Sequence, residues 1–369
     1  MRLLPPWHIV SVVTIAAVLA SCQSDTTPTG PTLPTSYDST GYVAATVAQY
    51  GVRSRIAELL ELLETANSVS VTLSQSQVNA ALAPLKDDVD PGFKDQLSAM
   101  AKELADASGN TYDWKAVPTS SSKGGVYGSY LFTASGLDAV EMIEKGLFSG
   151  VLYAKARDIV SKPLTREAVH QLLAIYGAHP RFSNSGKATI EPDVYVAAYC
   201  ARRDMNDGKG MYSQIKREFI RAQWNATSGS ATEASAAASS ILRLWERSQM
   251  ATVVTYTYAV IDGLGKTNVT DSARAAAMHA FGECAGILSG WRFVDPSARL
   301  ISDAQLSMML ELLMLPVSGT ARPYLMWQDP ATYLQQIVTV REMLQGVYGF
   351  TDEEMISFKS NWVNVQGRM

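Results

Sequence analysis

Leu306, Met309, Leu310, Leu313 and Met314 fall at i, i+3, i+4, i+7 and i+8. That spacing gathers all five on one face of an α-helix but scatters them over both faces of a strand, so it commits the segment to helix. The same period recurs in Ile56, Leu59, Leu60 and Leu63, and in Leu334, Ile337, Val338 and Leu344 with Gly349 as a stop. Further helices are expected near 92–107, 136–159, 165–177, 192–205, 210–224, 232–262, 271–290 and 352–363. Thr351-Asp352-Glu353-Glu354 opens the last of these with a cap and acids in its first turn. Pro163, Pro180, Pro192, Pro296, Pro316 and Pro330 fall between these segments. The expectation is an all-α, multi-helix bundle, as one bundle or as two packed ones at about 40–180 and 190–365.

Two segments strain that reading. Val253-Val254-Thr255-Tyr256-Thr257-Tyr258 is β-branched and aromatic, which suits a strand or a minor hairpin. It follows the Ala-rich run Ser230–Met250 without a Gly or Pro break, so one long helix is expected instead. Residues 110–133 are rich in Gly and Ser and read as an irregular insert. Gly146, Gly150 and Ala154 lie four apart, as do Gly282, Gly286 and Gly290. Glycine weakens a helix, so repetition at this spacing points to close approach by a neighbouring helix.

The N-terminus predicts export. A short apolar run from Trp7 to Ala20 ends in Leu19-Ala20-Ser21-Cys22. The run is too short and too weakly flanked for a permanent membrane span, and suits a signal peptide over 1–21. Small residues before a Cys are what lipoprotein processing accepts, which marks Cys22 for lipidation. Each acyl methylene then contributes about 0.8 kcal/mol to a membrane anchor. The Thr-, Pro- and Ser-rich stretch over 22–39 reads as a flexible tether, and 40–369 as the folded domain. Gln23 stands where an Asp can signal inner-membrane retention, which points to the outer membrane of a Gram-negative envelope.

The net charge of -4 supplies no basic face for nucleic acid and no polybasic patch for anionic lipid. With Cys22 lipidated, Cys200 and Cys284 remain. Outside the cytoplasm they can form a disulfide or stand as two buried thiols, and sequence does not choose. Catalytic motifs fail on inspection. Gly265-Lys266-Thr267 lacks the first glycine of a phosphate-binding loop, because Val260 stands there. Ser185-Gly186-Lys187-Ala188 lacks the hydroxyl for magnesium. No pair of His is spaced for a zinc protease, and no Gly-x-Ser-x-Gly elbow occurs. One constellation remains. His279 and Glu283 lie one helical turn apart, bordered by Gly282 and Gly286. Imidazole and carboxylate suit iron, zinc or copper, with Glu144, Glu141, Glu246 and Asp193 as possible further donors. The commoner role of such a pair is a His–Glu hydrogen bond at a packed interface. Arg55 and the Glu246 that follows Trp245 can belong to buried polar networks, although solvation is the ordinary expectation.

Tyr50-Gly51-Val52-Arg53-Ser54-Arg55, Glu144-Lys145-Gly146-Leu147-Phe148-Ser149-Gly150, Tyr195-Val196-Ala197-Ala198-Tyr199 and His279-Ala280-Phe281-Gly282-Glu283 occur in that order. Together they resemble a family of Gram-negative envelope lipoproteins of unassigned function, which is similar to the imelysin-like proteins. The resemblance spans roughly Tyr37 to Trp362. It implies paired helical bundles outside the cytoplasm and a link to iron uptake through a Gly-x-His-x-x-Glu motif. Here Glu283 lies four residues after His279, and Ala277 replaces the Gly. Three functions are therefore in view: a lipid-anchored module that binds a small ligand, a protein partner, or iron or another transition metal; a metal-dependent peptidase of imelysin type; and a structural lipoprotein docking another envelope component.

Overall fold

Capping and periodicity set most of the elements. The structure, a computed structural model, describes residues 32–186 and 190–369. Its first helices are α1 (Tyr42–Ala45), α2 (Val47–Thr65), α3 (Gln75–Leu82) and α4 (Lys94–Ala107). A two-stranded antiparallel hairpin follows, β1 (Gly125–Tyr127) and β2 (Tyr130–Phe132), with Val126 opposite Leu131. Next come α5 (Ala139–Leu147), a π-helical turn over Phe148–Tyr153, and α6 (Ala154–Val160). Then follow α7 (Arg166–Tyr176), α8 (Tyr195–Arg202), α9 (Met211–Ser228), α10 (Ala231–Leu264) and α11 (Asp271–Trp291). The chain ends with α12 (Asp303–Leu312), α13 (Leu325–Gln328), α14 (Pro330–Tyr348), α15 (Asp352–Ser357) and α16 (Trp362–Val365).

The all-α expectation holds. Thr351 caps α15 in a full capping box with Glu354. Val253–Tyr258 is helical, inside the 34-residue α10. β-propensity yields there because both ends of the segment lie in helix and its side chains pack against neighbours on several sides. The insert over 110–133 is where the hairpin forms. The short polar α3 had no signal beyond its Ser74–Gln77 capping box.

α10 is the axis, packed against α8, α9, α11 and α14. Its midpoint carries Trp245, fully buried, with Tyr153 at 5.6 Å and Tyr176 at 5.1 Å between ring centroids. Trp291 closes that group, 4.6 Å from Tyr153, and donates its indole N–H to Gln249 Oε1 at 2.8 Å. Residues 34–369 form one compact unit, which takes in residues ahead of position 40. Tyr37, assigned to the tether by composition, is buried and its hydroxyl lies 2.6 Å from His170 Nδ1. The signal peptide, Cys22 and most of the tether lie outside the described residues. No helix among the described residues is long and apolar enough to cross a membrane.

The glycine series bring α5 and α11 together. A methyl group placed on Gly286 would lie 2.9 Å from the Glu141 carbonyl oxygen, and one on Gly290 3.1 Å from Gly146 Cα. On its other face α5 packs towards α4 and α2. There the Phe93 ring fills the groove, 2.6 Å from a methyl placed on Gly146 and 2.2 Å from one on Gly150.

Candidate functional site

Close approach of α5 and α11 traps a set of ionisable groups. Asp138 is the N-cap of α5: its Oδ1 accepts from the Val140 and Glu141 N–H groups, each at 3.1 Å. Its Oδ2 holds His279 Nδ1 at 2.9 Å. Gly282 makes room for this, since a methyl there would lie 2.6 Å from Asp138 Cβ. Two turns along α5, Lys145 is 1% exposed. Its ammonium lies 2.6 Å from Glu141, 2.9 Å from Glu144 and 3.3 Å from Glu283, and donates to Tyr199 Oη at 2.8 Å. Tyr256 on α10 donates to Glu283 Oε1 at 2.5 Å, and Tyr130 of β2 stacks on His279 at 4.2 Å. The hairpin that delivers Tyr130 is fixed by Tyr127, which donates to Asp271 at 2.8 Å.

The structure thus brings His279, Glu283, Glu144 and Glu141 together, and places Asp193 and Glu246 elsewhere. His279 Nε2 is 3.7 Å from Glu283, so the two meet as one helical turn allows. Asp193 is buried and accepts from the His179 and Ser185 N–H groups and the Tyr212 hydroxyl, closing the loop after α7. Glu246 is buried rather than solvated, and accepts from the Leu300 and Ile301 N–H groups and the Tyr348 hydroxyl. Arg55 is half-buried and paired with Asp88 at 2.6 Å. Cys200 and Cys284 are free, so the disulfide does not form; burial pushes both thiols up to about 12. Sequence reasoning missed Lys145, Asp138, Tyr130, Tyr199 and Tyr256.

Charge in the cluster nearly cancels. Burial pushes the Glu141 carboxyl up to about 8; Lys145 opposes this, while Glu144, Glu283 and Asp138 add to it. For His279 burial favours the neutral ring, but the hydrogen bond and charge of Asp138, with Glu283 and Glu141 behind it, outweigh burial and raise the imidazole to about 9. Lys145 stays charged, because Glu141, Glu144, Tyr199 and Glu283 together overcome its desolvation. Arg203, buried within electrostatic reach of Glu283 and Tyr256, is a third cation. Lys145 and His279 thus face the carboxyl groups of Asp138, Glu141, Glu144 and Glu283, with Arg203 within electrostatic reach of Glu283, and burial among these acids keeps a proton on Glu141.

A pH dependence follows with a definite sign. Glu141, ordinarily at 4.5, and His279, ordinarily at 6.5, both bind protons more tightly in the folded chain. The folded state then holds more protons than the unfolded state, so stability falls as pH rises. The Glu141 contribution is lost between 4.5 and about 8, and that of His279 between 6.5 and about 9. Thermal melts should show the midpoint dropping across that upper range, and a Glu141→Gln, His279→Gln variant should flatten the drop. A midpoint that rises with pH there is the opposite result.

The donors do not fit a metal as they stand. The point on which Glu141, Glu144 and Glu283 converge is filled by the Lys145 ammonium. Zinc-like ions need several donors at about 2.0–2.3 Å around one vacant centre. Among the described residues no group of three or more His, Cys, Asp or Glu is arranged to hold a metal ion. Comparison with known proteins finds no matching family model, no matching curated protein and no matching solved structure.

Proposed function

We propose that this chain is a membrane-anchored bacterial envelope lipoprotein whose helical domain is a binding module for a small organic cation, bound at the outer edge of the acidic cluster. The apolar run ending at Cys22 and the Thr/Pro/Ser-rich stretch after it support the anchor. The binding reading rests on one observation: a ring of carboxylates and tyrosines already closes around one alkylammonium, that of Lys145, and keeps a proton on Glu141 that a further cation can displace. The imidazole of His279 is 24% exposed and Glu141 and Glu144 also reach the surface, so a cation can be met at the rim without entering the core. A cation seated there replaces the Glu141 proton, which couples binding to proton release.

Calorimetric titration of the full chain in mild detergent tests this, with cadaverine as the amine probe and ferrous and zinc ions as metal probes. The expected result is amine binding with release of about one proton per site below pH 8, seen as a dependence on buffer ionisation heat. Glu141→Gln should abolish the proton release. Tight metal binding lost in a His279→Ala, Glu283→Ala variant would replace the amine by a metal ion. Binding of neither would overturn the reading.

A further inference from the structure

A second site lies away from the acidic cluster, in a cleft of about 470 Å³ between α2, α6 and α7. Small-ligand pockets fall at about 300–1,000 Å³, so the cleft has room for a compact organic molecule. Its walls separate by polarity. On one side Arg55 from α2 and Lys155 from α6 both bind Asp88, each at 2.6 Å. On the other stand Ala48, Ile159, Pro163 and Ala168. Gln49 and Gln171 add amides between them.

The charges of this wall do not cancel. Asp88 is one carboxylate answered by two cations. Burial favours its neutral form, but Lys155 and Arg55 hold it below the usual carboxylate range, so it stays ionised and consumes one positive charge only. Lys162, at the rim, is balanced by Asp158 at 2.9 Å, which leaves the excess at Arg55 and Lys155. Both of those side chains are 33% exposed, whereas Asp88 is 11% exposed, so the surplus charge faces the open cleft and not the core. Gly51 lies beneath the guanidinium, where a methyl would come within 3.4 Å of Arg55 Nη1. Arg55 Nε is buried and has no hydrogen-bond partner among the described residues, so Asp88 does not saturate the guanidinium. Two cations on one carboxylate leave this wall with a net positive charge, which it can offer to an anion by charge-assisted hydrogen bonds.

We propose that this cleft binds a small organic anion, its carboxylate on Arg55 and Lys155 and its apolar part against Ile159, Pro163 and Ala168. Guanidinium and carboxylate meet as two parallel hydrogen bonds, which fixes the orientation of the ligand. Asp88 holds the two cations in place and at the same time competes for them.

The test is calorimetric titration of the full chain in detergent with octanoate, and with inorganic phosphate as a probe of charge alone. Octanoate should bind one to one, and Arg55→Gln and Lys155→Gln should each weaken it about tenfold or more, the loss expected for a charge-assisted hydrogen bond. Each variant leaves Asp88 one cation, and a circular dichroism melt checks that the fold is kept. Asp88→Asn is the discriminating variant, because removing the competitor should tighten octanoate binding by about tenfold. A purely structural triad would show no octanoate binding in any variant, which overturns the proposal. Phosphate bound as tightly as octanoate would overturn the assignment to an organic anion. Octanoate binding indifferent to Arg55→Gln and Lys155→Gln would place the ligand elsewhere and overturn it also.

Discussion

Lys145→Met lowers the stability of the folded chain by about 3–5 kcal/mol, the range for removing one partner of a buried ion pair. Methionine keeps the length and apolar stem of the side chain, so the change isolates the ammonium. Without it Glu141, Glu144 and Glu283 face one another with no cation at 2.6–3.3 Å. They can recover only by taking up protons, so the loss should shrink as pH falls towards the ordinary carboxylate range. Urea unfolding at neutral and mildly acidic pH measures both effects. Glu141 already holds its proton at neutral pH, so a double variant with Glu144→Gln should recover part of the stability, because one of the two remaining stranded carboxylates is then neutral. A loss under about 1 kcal/mol would mean that the cluster behaves like surface charges screened by water.

The second large effect is at the other face of α5. Phe93→Ala costs about 3–5 kcal/mol through the lost burial and the cavity left behind. Phe93 is fully buried, and its ring is the knob that fills the groove of Gly146 and Gly150, 5.5 Å from the ring of Phe293. Gly150→Ala alone is also destabilising, since its methyl lies 2.2 Å from Phe93 Cδ1 and forces the ring out. The two changes should compensate: in a Phe93→Ala background the Gly150→Ala methyl enters vacant space and recovers stability. Denaturation of the four proteins of that cycle decides the point, and simple additivity would show that ring and groove are not coupled.

The legible parts of the fold are those set by local rules. Apolar spacing places α12 and α14, the Thr351 box starts α15, and Gly282, Gly286 and Gly290 announce the contact of α11 with α5. Parts set by tertiary context are not legible. Gly146 and Gly150 signal close approach but cannot say that an aromatic ring makes it. The π-helical turn at Phe148–Tyr153 leaves no mark in composition. At the site, His279 and Glu283 are visible because they share one helical turn. Asp138, Tyr199 and Tyr256 are not, since they arrive from α5, α8 and α10 across long sequence separations. Lys145 was concealed by its type: a lysine beside glutamates on a helix reads as a solvated face. The available signal was its position, directly before Gly146 and four residues after Glu141, beside a glycine series that points to close approach.

The proposed exchange requires this buried cluster to hold a proton on Glu141 at neutral pH and to give it up to an outside cation. Infrared difference spectroscopy of the full chain against Glu141→Gln, titrated from about pH 5 to about pH 10, reads that proton directly. The account predicts a protonated-carboxyl band absent from the variant, disappearing near pH 8 and lost at lower pH when cadaverine is present. A Glu141 carboxyl already ionised at pH 6, with no band to lose, would contradict it.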